Sequence, residues 1–169
     1  MSLAVDTLST SMFLRGLNVL SGLIDRAIEA GLDEAVVMEA RLAPDMRPFP
    51  DQVRMASFSA RSCIARLSNQ PWPKTDDAEA SLAELKATVA LSIAFVEGVE
   101  AAAFDGGETR RIELRFPGVE LDFEGQGYLT SFALPNFYFH LSMAYAILRH
   151  LGVPLGKRDF LGQLELIHG

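Results

Sequence analysis

Two side chains late in the sequence, Asn136 and His140, stand one helical turn apart. Residues i and i+4 share a helix face, so an amide and an imidazole at this spacing can address one ligand or one proton. A polar group from the second long helix, such as Ser57, completes a small polar pocket among apolar neighbours. There His140 acts as a hydrogen-bonding group or a weak general base. The plainer reading is a core histidine satisfied by Asn136 and Ser57, and its apolar surroundings favour that one.

Other candidates carry less chemistry. Asp45, in Arg41-Leu42-Ala43-Pro44-Asp45-Met46, is either a pocket carboxylate or a turn device that takes backbone N–H groups or pairs with Arg41. A proline-bounded loop favours the turn. Arg149, Lys157 and Arg158, with Asp159, could form an anion site at the end of the last long helix. Against that, a cation near a helix C-terminus is favourable with no ligand at all, and exposed charge contributes little. Cys63 is the only cysteine and no histidine lies near it in sequence, so it reads as a small hydrophobe rather than a nucleophile. Phe137, Tyr138 and Phe139 read as core and interface aromatics, and His168, next to the C-terminus, as a poor ligand. No glycine-rich phosphate loop and no Cys-x-x-Cys pair occurs.

The elements that must position these residues follow from hydrophobic spacing. Segment 3–30 carries a wide apolar stripe through Phe13, Leu17, Leu20 and Ile24, closed by Gly31. Asp33 caps a short helix through Glu39. Pro44, Pro48 and Pro50 forbid a continuous helix over 42–50. A second long helix covers 51–69, with Val53, Ala56, Ser57, Ala60, Ile64 and Leu67 on one face, and Pro71-Trp72-Pro73 ends it. Asp76 and Glu79 resemble a capping box opening the third helix. The period then changes to two. Ile112, Leu114 and Phe116 alternate with charges, Pro117-Gly118 turns the chain, and Val119, Leu121 and Phe123 alternate in reply. In that hairpin Arg115 opposes Glu120 and Arg111 opposes Glu124, whereas Glu113 opposes Asp122 unfavourably. Segment 132–151 is the last long helix, stopped by Gly152 and Pro154, with one further helical turn near 159–164. The prediction is an all-α, up-and-down four-helix bundle with a small β-hairpin between the third and fourth long helices.

With 169 residues, no internal repeat and no long linker, the chain reads as one domain over 1–169. Twenty-two Asp plus Glu oppose fifteen Lys plus Arg, a net charge of −7, and the cationic stretches are short or interrupted by acids. That argues against a nucleic-acid partner, which needs a basic footprint to displace counterions. No uncharged apolar run reaches membrane-spanning length, and residues 1–11 lack a basic start and carry Asp6. The expectation is a cytoplasmic protein with no membrane partner.

The string Pro135-Asn136-Phe137-Tyr138-Phe139-His140, then Tyr145 to Gly162 with Leu148-Arg149, Gly152 and Lys157-Arg158-Asp159, resembles the DUF1993 family. So do Arg41 to Met46, Gln52-Val53 and Ala65-Arg66-Leu67. The resemblance implies a DinB/YfiT-like bundle, a superfamily whose better-known members are metalloproteins. It implies a divalent metal, such as zinc or nickel, held by one histidine of the second helix and an H-x-x-x-H pair of the last. His140 matches the second histidine of that pair, with Leu148-Arg149 and Gly152 following in register. Asn136 stands in place of the first, and the second-helix position aligns near Ser57. One imidazole with an amide is a poor zinc or nickel site, so no metal or other cofactor is expected.

Two readings of function follow. The first is a non-catalytic homodimer that binds a small ligand or a protein partner and keeps a degenerate metal site; the edges of the hairpin invite pairing. The alternative is a metal- or thiol-dependent transferase or hydrolase using the cleft around His140.

Overall fold

The protein is described by a computed structural model covering residues 4–164. Its long helices are α1 (Val5–Glu29), α3 (Phe49–Ser68), α4 (Leu82–Gly98) and α6 (Leu134–His150). Short helices α2 (Glu34–Glu39), α5 (Gly125–Tyr128) and α7 (Lys157–Leu161), strands β1 (Arg111–Phe116) and β2 (Val119–Glu124), and a 3-10 turn at Ala101–Phe104 complete it. Phe13, Phe49, Phe137, Leu17, Leu20, Ile64 and Leu129 are fully buried in one continuous core. No helix among the described residues is long and apolar enough to cross a membrane. His168 and the end of the predicted tail lie outside the described residues.

The four-helix bundle and its hairpin are as the sequence predicts, but the helix directions do not simply alternate. Phe13 meets Phe137 with ring centroids 5.1 Å apart, and Gly16, one turn on, faces Phe137 and Leu141. Helices α1 and α6 are therefore parallel neighbours. Arg61 reaches Ser92 and Leu67 lies beside Gly107, so α3 and α4 are also parallel. The order is up, down, down, up. Residues 69–81 make this possible, because they run back along the bundle before α4 begins.

Helix α4 starts at Leu82, not at Asp76. The working cap is Ser81, whose hydroxyl accepts the Glu84 N–H at 3.2 Å, while Glu84 takes the Ala80 N–H at 2.6 Å. Glu79 is unavailable as a cap because Arg54 and Thr88 hold its carboxylate. The last helix also begins earlier than the stripe implies. Turns start at Gly125, widen into a π-helical turn over Leu129–Ala133 and pass into α6 at Pro135, which has no N–H to give.

The hairpin has the predicted register, from Arg111 opposite Glu124 to Phe116 opposite Val119. Ile112 and Leu114 are buried against the bundle of their own chain, and Phe123, Tyr128 and Phe132 pack at its base. The Glu113–Asp122 repulsion is relieved by both arginines. Arg111 reaches Glu113 at 2.9 Å and Asp122 at 3.4 Å, and Arg115 reaches Asp122 at 2.7 Å and Glu113 at 3.5 Å. The arginines thus pair with Asp122 rather than with Glu120 and Glu124, which face them directly.

Candidate functional site

Helices α3 and α6 run antiparallel, and two polar contacts bridge their seam. Asn136 donates from Nδ2 to Ser59 Oγ at 2.8 Å, and Ser59 donates in turn to the Met55 carbonyl at 2.7 Å. One turn along α6, His140 Nδ1 lies 2.8 Å from Gln52 Oε1. Gln52 and Ser59 are seven residues apart on α3, two full turns, so they occupy one face. The two groups that meet Asn136 and His140 are therefore Ser59 and Gln52, not Ser57. Ser57 is fully buried on another face of α3, and its hydroxyl has no partner among the described residues.

The tautomer of His140 follows from its neighbour. Gln52 Nε2 donates to the Arg47 carbonyl at 3.0 Å, which turns the amide oxygen toward the imidazole. An amide oxygen accepts only, so His140 carries its proton on Nδ1 and leaves the lone pair on Nε2. Burial, and then the charge of Arg47, pushes the imidazole below its usual range. The neutral form is the one the fold prefers.

These residues do not fit the metal that the family resemblance implies. Asn136 and Gln52 are spent on neutral hydrogen bonds, and among the described residues His140 is the only imidazole at the seam. Among the described residues no group of three His, Cys, Asp or Glu side chains is placed to share an ion. The other predicted residues lie elsewhere. Asp45 is exposed in the turn before α3, and its carboxylate makes no ion pair or hydrogen bond with Arg41 or His140. Arg149, Lys157 and Arg158 are exposed; Arg149 reaches the Val153 carbonyl at 3.4 Å, and nothing joins the three. Cys63 is fully buried and burial pushes its thiol far up, which leaves no nucleophile. Its neighbour Tyr128 is likewise pushed up, to about 12, by burial.

A family model described as a domain of unknown function, DUF1993, matches residues 7–161. The chain belongs to the DUF1993 family. A crystal structure of a DinB family member from Shewanella denitrificans superposes on this DUF1993 protein with a TM-score of 0.87. The two are 34% identical, over 98% of this chain and 96% of that one. No curated protein matches this DUF1993 chain. The bundle of this DUF1993 protein is thus DinB-like in sequence and in structure.

Sequence reading missed three buried polar residues of α3: Gln52, Ser59 and Arg61. The signal was present for the first two, since a polar pair at i and i+7 on a buried helix face calls for partners across the seam. Arg61 is the largest fully buried side chain among the described residues, and a charge at such a position is the rarer event.

Proposed function

We propose that this DUF1993 protein is a non-catalytic binding bundle, in which the position that takes a metal elsewhere in the DinB-like superfamily joins two helices. The observation that carries the reading is the His140–Gln52 contact at 2.8 Å, backed by the Gln52–Arg47 bond that fixes its direction. A ligand histidine needs a neutral, oriented ring and further donors around the same point. His140 is neutral and oriented, but Gln52 is bonded to His140 itself and Asn136 to Ser59, rather than both being turned to a common centre.

In this reading the protein is one domain that works as a homodimer and takes a small ligand or a partner protein. The hairpin supports the dimer. Phe116 and Val119 pair at its tip, are 49% and 45% exposed, and sit on a ribbon with both edges unpaired among the described residues. An acidic chain with one buried, unpaired cysteine also suits the reducing cytoplasm.

Elemental analysis of tag-free protein beside His140→Ala tests the reading. No stoichiometric transition metal in either is the expected result. One metal per chain in the native protein, absent from the variant, would overturn it and favour a metal-dependent transferase or hydrolase. Should the variant fail to fold, the native protein alone decides between the two.

A further inference from the structure

The connection between α3 and α4, residues 69–81, runs back along α3 as a strap. Among the described residues no backbone–backbone hydrogen bond involves 71–80, so every tie to the bundle uses a side chain. Trp72 sits edge-on to Phe58, with ring centroids 6.3 Å apart, and lies under the Arg66 guanidinium, 4.9 Å from its ring centre. Arg61 Nη2 donates to Thr75 Oγ1 at 3.1 Å. Arg54 Nε donates to the Glu79 carboxylate at 2.7 Å, and its Nη2 to the Glu79 carbonyl at 2.6 Å. Arg54, Phe58 and Arg61 stand at i, i+4 and i+7 on α3, so one stripe of that helix holds the strap from Trp72 to Glu79.

The middle tie differs from the two outer ones. Arg61 is 1% exposed, and its partners are the neutral hydroxyls of Thr75 and, at 2.6 Å, Ser92. Its Nε is buried with no partner, and among the described residues no carboxylate lies within ion-pair distance. Asp77 and Glu79 favour its charge from farther off, but Asp77 accepts the Thr75 hydroxyl at 3.0 Å, and Glu79 is held by Arg54 and Thr88. Lys74, exposed beside Thr75, adds a like charge. Burial outweighs the two acids and pushes the guanidinium down. A buried cation without a paired anion is costly, and water relieves that cost. The closed strap also holds Asp77 at φ 54°, in the left-handed region that residues other than glycine enter at some cost.

We infer that residues 71–80 form a strap that lifts as one unit while the four long helices stay folded, and that Arg61 sets the balance between closed and open. Trp72 and Glu79 hold the strap down at its two ends. Hydration of Arg61 favours lifting at its middle, because lifting takes Thr75 off Nη2 and lets water reach it. Residues 74–79 form one wall of a groove of about 730 Å³, with Glu84 and Thr88 of α4 on the other, so lifting widens that groove and uncovers the Arg54–Arg61 stripe. The strap is separate from the His140 seam and does not depend on how that seam is read.

Trp72 is the only tryptophan of the chain and reports on the strap directly. The test follows limited proteolysis within 71–80, and acrylamide quenching of Trp72 fluorescence, in the intact protein from zero urea to just below the unfolding transition. Local lifting predicts a cleavage rate that changes far less with urea than global unfolding does. Arg61→Met removes the charge and keeps an unbranched side chain; it should slow cleavage about fivefold and reduce quenching. Ser92→Ala takes a partner from Arg61 and should speed cleavage about threefold. An Arg61 that only props the fold would give faster cleavage in both variants. Cleavage with the urea dependence of global unfolding, Arg61→Met cut as fast as the native protein or faster, or Ser92→Ala without effect would overturn the inference. Where Arg61→Met does not fold, the native urea series and Ser92→Ala decide it.

Discussion

Gly125 and Gly107 pack backbone against backbone, and a methyl group on Gly125 would overlap the Gly107 carbonyl oxygen and crowd Leu67. This approach seats the hairpin on the end of the bundle, because Gly107 precedes β1 and Gly125 follows β2. Gln126 N, bonded to the Glu108 carbonyl at 2.8 Å, closes the same corner. Gly125→Ala must therefore move backbone rather than a flexible side chain, at a cost of about 3 kcal/mol. Urea denaturation checks this, and Gly127→Ala is the control, since nothing lies near a Cβ there.

Acid should weaken the α3–α6 seam before it weakens the rest. The imidazole of His140 is held below its usual range, so the unfolded chain binds a proton more readily than the folded one. The contribution is complete above the unfolded pKa and is lost as pH falls through the mid-sixes toward the lower folded value. His140→Asn keeps an N–H for Gln52 and removes the titration. Stability measured from pH 8 to 5 should fall less steeply for the variant than for the native protein.

The 69–81 crossover should loosen when its ion pair is cut. Burial alone pushes the Glu79 carboxyl up, and hydrogen bonds from Thr88 and Arg54 outweigh it and hold the group below its ordinary range. Glu79→Gln leaves Arg54 with Asp51 at 2.9 Å and with the Glu79 backbone carbonyl at 2.6 Å, but loses the charge pairing. A loss of about 2 kcal/mol is expected. Limited proteolysis should cut within 71–80 first, because no backbone ladder among the described residues protects that stretch.

Substituting the hairpin tip should change assembly and not folding. Phe116→Ser with Val119→Ser alters two half-exposed side chains, while Ile112 and Leu114 keep the ribbon on the bundle. Sedimentation should give a dimer for the native protein and a monomer for the variant, with similar thermal stability. A native monomer would remove the homodimer from the functional reading.

Periodicity made the four long helices and the strand register legible, because both are imposed by which residues must be buried. The start of α4 was hidden because Asp76–Glu79 and Ser81–Glu84 both have the spacing of a capping box. What separates them is Arg54, twenty-five positions before Glu79, and no local pattern contains that residue. Helix direction was hidden for a related reason, since a thirteen-residue connection can either turn back or run the length of a helix. At the seam, His140 and Asn136 were legible from their spacing. Their partners were not, because a shift of a few residues along α3 separates Ser57 from Gln52 and Ser59.

The up, down, down, up order also bears on synthesis. Helix α1 leaves the ribosome before the other long helices, yet the helices that flank it are α4 and α6, and α6 is the last of the four. The apolar stripe of α1 therefore stays partly exposed until α6 has been made, through a period when a nascent chain is open to chaperones and to aggregation. Among the long helices, the two made first, α1 and α3, both wait for α6 to be sheltered.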